Sequence, residues 1–140
     1  MPKTYQITRS AELTSLSAFR ELIKKAALDW PEIEPQMVYD LQLAVDEAVT
    51  NIIQHGYAGM NPGSIILRIQ IDENEARMTL TDFGHAFEPA PPPTPNPEAA
   101  LDNRPTGGFG LFFIYQAMDE VNYQTSLVSG AKRHQLLFNN

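Results

Sequence analysis

The chain has 140 residues, 43% of them hydrophobic, enough for one domain with a buried core and too few for two comfortable ones. Ten basic against seventeen acidic residues give a formal charge of -7, which argues against a nucleic-acid binder, because such affinity depends on Lys and Arg neutralising phosphates. The lack of cysteine excludes disulfides, thiolate nucleophiles and cysteine zinc sites, and no run approaches the roughly 18 apolar residues of a membrane span, so a cytoplasmic protein is expected.

Tyr5-Gln6-Ile7-Thr8 alternates and reads as a short edge strand. Ser10 then stands as the N-cap of a helix whose apolar stripe runs through Leu13, Leu16, Phe19, Leu22, Ile23, Ala26 and Ala27. That helix should end near Asp29 and Trp30, ahead of Pro31. Glu34-Pro35 opens a second helix with proline in its first turn, and Met37, Leu41, Ala44, Val45, Ala48, Val49, Ile52 and Ile53 give it a wide apolar face up to Gly56. Ser64 to Ile71 and Ala76 to Thr81 both alternate at period two, and the polar run Asp72-Glu73-Asn74-Glu75 joins them as an antiparallel hairpin. Between Pro89 and Pro105 lie seven of the chain's eleven prolines, which rules out a ladder strand or a continuous helix there. A long loop in so small a domain is expected to be a lid or binding loop. Leu111 to Met118 reads as a buried helix, its uniform apolarity leaving strand open, and Val121 to Thr125 and His134 to Phe138 follow as two strands turned at Ser129-Gly130. This order predicts an α+β, two-layer sandwich in a single domain over residues 1–140: one antiparallel or mixed sheet with its helices on one face.

Three constellations carry chemistry. In LAVDEAVTNIIQHG, Glu47, Asn51 and His55 are spaced i, i+4, i+8 and so share one helix face, while Asp46 points elsewhere, to the surface or a hinge. A Glu can serve as general base and an Asn oxygen is a hard neutral ligand suited to Mg²⁺; the same spacing also fits a plain solvated stripe. In TDFGHAFEP, Asp82 at a strand end can accept a hydrogen bond from an exocyclic amine while Gly84 lets backbone approach a ring, or the pair simply forms an Asx turn. In PTGGFGL, glycines ahead of a helix leave N–H groups for phosphate oxygens, or serve as a hinge; the Lys-Ser/Thr of a P-loop is missing.

Their order and spacing are more specific than any one of them. E-x-x-x-N on a helix, D-x-G at a strand end, then a loop and G-x-G opening a helix resembles the N, G1 and G2 boxes of the GHKL (Bergerat-fold) ATPases. More narrowly, AVDEAVTNIIQHGY, TDFGHAFEP and NRPTGGFGLFFI with MDEV after it look like the anti-sigma-factor serine kinases, from about Ala11 to Asn140. The resemblance implies the Bergerat α/β sandwich with a mixed, mostly antiparallel sheet, an ATP lid at about residues 88–106, and ATP with Mg²⁺ as cofactors. It implies Glu47 as the base toward a protein serine hydroxyl, Asn51 as the magnesium ligand, Asp82 on the adenine amine with Gly84 beneath the ring, Gly108 and Gly110 around the phosphates, and Arg104 on the terminal phosphate. His55, Phe87, Thr106, Gly107, Phe109 and Leu111 complete the expected nucleotide contacts, although His55 equally suits a C-terminal helix cap. Ala86 stands where many GHKL members have a second glycine, and Ser129-Gly130-Ala131-Lys132 lacks the Gly-Thr of a fuller G3 box.

The function so implied is an anti-sigma kinase that phosphorylates a STAS-domain anti-anti-sigma protein and regulates a sigma factor, as a homodimer, with no direct contact to nucleic acid or membrane. The rival reading is a module that keeps the fold and grips its partner without phosphoryl transfer. An ATP-driven conformational ATPase would need transducer domains, and Met1 and Phe138-Asn139-Asn140 are taken as the ends of a complete small chain.

Overall fold

The computed structural model describes residues 3–72, 75–85, 120–125 and 132–139. Strand β1 (Lys3–Ser10) leads through a 3-10 turn (Leu13–Ser15) into helix α1 (Leu16–Leu28). Helix α2 (Pro35–Asn51) continues as a π-turn (Ile52–Gly56), and strands β2 (Ser64–Ile71), β3 (Glu75–Asp82), β4 (Glu120–Thr125) and β5 (Lys132–Asn139) complete a five-stranded sheet of order β1-β2-β3-β5-β4. All four ladders are antiparallel, so the mixed sheet allowed by the sequence gives way to a purely antiparallel one among the described residues.

Alternation explains the layering. In β2, Ile65, Leu67, Ile69 and Ile71 are buried, and in β3 Ala76, Met78 and Leu80 meet them across the ladder as Ile71↔Ala76, Ile69↔Met78 and Leu67↔Leu80. Phe19, Ile23 and Ala26 of α1 and Leu41, Ala44, Val45, Ala48 and Val49 of α2 complete one core against this face. Period-two geometry continues the row to Asp82, which pairs with Ile65 and is 0% exposed. A carboxylate thus occupies the last core-facing position of the strand.

Helix α2 begins as the sequence predicts, with Glu34 as N-cap and Pro35 in the first turn. Helix α1 does not. Ala11 N–H donates to the Gly63 carbonyl at 2.7 Å and prolongs the β1 ladder past Ser10, so Ser10 ends a strand instead of capping a helix. Its hydroxyl lies 3.3 Å from Glu12 Oε2 and 3.4 Å from Ser15 Oγ. The hairpin turn carries Asp72 N–H to the Glu75 carbonyl at 3.1 Å and Glu75 N–H to Asp72 Oδ1 at 2.9 Å. Asp46, expected at the surface or a hinge, instead joins the helices: Arg20 Nε donates to both its carboxylate oxygens at 3.0 and 2.9 Å, and Gln42 Nε2 reaches the Arg20 carbonyl at 3.2 Å. The expected lid at 88–106, the helix at 111–118 and the turn at Ser129-Gly130 lie outside the described residues.

Candidate functional site

Glu47 and Asn51 sit one turn apart on α2, both half-buried, beside the buried Ala48 and Val49. Burial pushes the Glu47 carboxyl above its ordinary value, and the neighbouring Asp46 charge adds to the effect. A carboxyl so raised holds a proton more readily, which favours a general base. Burial raises Asp46 as well, against the opposing hydrogen bond and charge of Arg20. The α-helix ends at Asn51, and His55 lies exposed in the π-turn that follows.

The π-turn delivers the end of α2 to the end of β3. Tyr57 N–H closes it on the Ile52 carbonyl at 3.0 Å, and the Gly56 carbonyl accepts a short hydrogen bond from His85 N–H. Gly84 N–H donates to Asp82 Oδ1 at 3.0 Å, so the Asx turn allowed by the sequence is present. A carboxylate has about four lone-pair sites, so this turn does not exhaust what Asp82 can accept. Gly84 packs on backbone: a Cβ there would collide with the Gly56 carbonyl. The glycine is therefore required by helix–strand contact, whatever else approaches it.

Sequence reasoning missed Tyr57. It is 6% exposed, its hydroxyl donates to the Ser64 carbonyl at 2.8 Å, and Phe83 N–H donates to that hydroxyl at 3.0 Å. The signal available was an aromatic residue between Gly56 and Gly59, but its partners lie in other elements. The remaining expected contacts, Phe87, Arg104 and Thr106 to Leu111, lie outside the described residues.

A helix bearing a half-buried Glu–Asn pair, locked at its end to a strand that finishes in a buried Asp, is the arrangement expected of a Bergerat site. The model of the histidine kinase-like ATPase domain matches residues 9–134. The chain belongs to the histidine kinase-like ATPase domain family. Among similar proteins, the serine-protein kinase RsbW of Bacillus velezensis is 33% identical over 95 residues, 64% of this chain and 58% of that protein. RsbW of Staphylococcus aureus (strain JH9) is 30% identical over 123 residues, 83% of this chain and 74% of that protein. The chain thus spans little more than half of some relatives it matches. A solved structure of the RsbU and RsbW domains of a Mycobacterium tuberculosis protein aligns with 97% of this chain and 32% of the other at a TM-score of 0.66 and 17% identity, a likeness of fold. No helix among the described residues of this ATPase-family domain is long and apolar enough to cross a membrane.

Proposed function

We propose that this domain is an ATP-dependent protein serine/threonine kinase and anti-sigma factor that phosphorylates a STAS-domain anti-anti-sigma protein, regulates a sigma factor and acts as a homodimer in the cytoplasm. The observation that carries the reading is the lock between Gly56 of the Glu47/Asn51 helix and the Asp82-Phe83-Gly84-His85 turn, in a chain matched to the ATPase family over residues 9–134. The relatives named serine-protein kinase support the reaction class.

In this reading Asp82 accepts the adenine amine, Gly84 lies beneath the ring, and His55 stands near the phosphates. Phe87, Arg104 and Thr106 to Leu111 complete the nucleotide contacts. Glu47 takes the serine proton as the serine oxygen bonds to the terminal phosphorus and the bond to the ADP oxygen breaks. Asn51 would hold Mg²⁺. The donors present suit that ion: Asn51 offers a hard, neutral oxygen one helical turn from the Glu47 carboxyl, and Mg²⁺ is ordinarily held by few protein oxygens together with substrate phosphates. When bound, the ion neutralises developing phosphate charge.

Calorimetric titration with ATP and Mg²⁺, then with EDTA, tests the site, and transfer of labelled phosphate to a STAS protein tests the reaction. Asn51→Ala should abolish Mg-dependent binding. Glu47→Ala should leave binding intact and slow transfer by about 100- to 10,000-fold. Wild-type transfer by the Glu47 variant would remove it as the base.

A further inference from the structure

Three consecutive amides follow Asp82, and each has its own acceptor. Phe83 N–H donates to the Tyr57 hydroxyl at 3.0 Å, Gly84 N–H to Asp82 Oδ1 at 3.0 Å, and His85 N–H to the Gly56 carbonyl. Of these acceptors Asp82 is the residue being positioned and Gly56 is backbone. Tyr57 alone is a side chain from outside the turn, and it holds the peptide immediately after Asp82.

Tyr57 is itself fixed on every side. Its N–H bonds the Ile52 carbonyl and its carbonyl accepts Met60 N–H, each at 3.0 Å. Its hydroxyl donates to the Ser64 carbonyl at 2.8 Å, and its ring lies so close to Gly63 that a Cβ there would fall 2.7 Å from Cε1. Filling this space needs only an aromatic ring. The hydroxyl, acting at once as donor to β2 and acceptor from the β3 turn, serves a directional purpose.

We infer that Tyr57 is a positioning residue for base recognition: its hydroxyl fixes the direction from which Asp82 meets an exocyclic amine on the nucleotide, and so sets the preference for adenine. This rests on the assignment of Asp82 to the adenine amine. Burial raises the Tyr57 hydroxyl's pKa, opposed by the Phe83 hydrogen bond and reinforced by the Asp82 charge, so the group stays protonated and able to play both parts at neutral pH.

The test compares ATP with ITP, whose base carries an oxo group in place of the amine, in calorimetric titrations of the wild type, Tyr57→Phe, Asp82→Asn and Ile69→Val. Ile69 is a core residue of β2, and its trimming destabilises the fold without touching the Asp82 turn. Tyr57→Phe should lower ATP affinity about tenfold, the factor given by one ordinary hydrogen bond, with ITP affinity within about twofold of wild type. Amide exchange at Phe83 should accelerate in the same variant. Ile69→Val should keep the wild-type ratio of ATP to ITP affinity. An unchanged ratio in Tyr57→Phe, or an equal change in Ile69→Val, would overturn the inference while leaving the nucleotide site standing. An unchanged ratio in Asp82→Asn would overturn the adenine assignment and the inference with it.

Discussion

Replacing Gly84 with alanine probes the contact on which the site is built. An added Cβ would stand 2.5 Å from the carbonyl carbon of Gly56 and closer still to its oxygen, where ordinary contact begins at 3.4 Å. Both partners are backbone, so no rotamer change relieves the clash. The end of β3 and the end of α2 must separate by about 0.9 Å to relieve the carbon alone, and by more to relieve the oxygen. Forced overpacking of this kind costs about 1–3 kcal/mol, and loss of the His85–Gly56 hydrogen bond adds about 0.5–1.5 kcal/mol. The sum, about 1.5–4.5 kcal/mol, is a large share of the roughly 5–15 kcal/mol that holds a domain folded. At about 3 °C per kcal/mol for a chain of this size, Tm should fall by about 5–13 °C. Urea unfolding followed by circular dichroism gives the free energy, and the slope should be unchanged because the same surface is exposed. ATP affinity should fall too, since Asp82 moves with the turn. A Gly84→Ala protein within about 0.5 kcal/mol of wild type, with His85 equally protected from exchange, would refute the contact.

Further predictions follow the same physics. Glu47 holds its proton more tightly in the folded chain, so its contribution is most favourable below the ordinary value of 4.5 and is lost as pH rises through the raised folded value. Glu47→Gln should therefore gain stability relative to wild type across that window, read as Tm against pH; a constant difference would contradict the burial argument. Arg20→Met removes the two opposing effects on Asp46, so the Asp46 carboxyl should titrate higher still by NMR, with stability falling by about 1 kcal/mol for this partly exposed pair. Leu80→Ala, at a position fully buried beneath the helices, should lose about 2–5 kcal/mol in urea unfolding; a loss under 1 kcal/mol would contradict the core assignment.

Local signals were legible where neighbours along the chain decide the outcome. The alternation through Ile65, Leu67, Ile69 and Ile71 marks β2 without knowledge of its partners, and Glu34-Pro35 marks the start of α2. Ser10 misled because its capping signal is local, whereas the Ala11–Gly63 hydrogen bond that extends the strand is not. The Arg20–Asp46 pair joins residues 26 apart on different helices, and neither residue type names its partner. The π-turn that carries His55 was not legible either, since the change of winding has no compositional signature here. Of the expected site residues, Glu47 and Asn51 lie on α2 and Asp82 and Gly84 at the end of β3, as their spacing suggests. What the chain could not reveal was that Gly84 answers to Gly56, since a glycine required by packing and one required by a ligand look the same in sequence.

The hydrogen bond from Phe83 to Tyr57 spans only 26 residues, and the intervening chain is little more than one hairpin. Closure of this circuit requires neither β1, at the sheet's edge, nor β4 and β5, so the two halves of the site can meet before the sheet is complete. A loop of this length loses less entropy on closing than the longer one that joins β3 to β5, which favours its earlier formation. Pulse-labelled hydrogen exchange during refolding should therefore protect Phe83 and His85 ahead of those β5 amides that bond β3, a strand far more distant along the chain than β4. Damage to this lock should then slow the docking of β3 on α2 as well as binding.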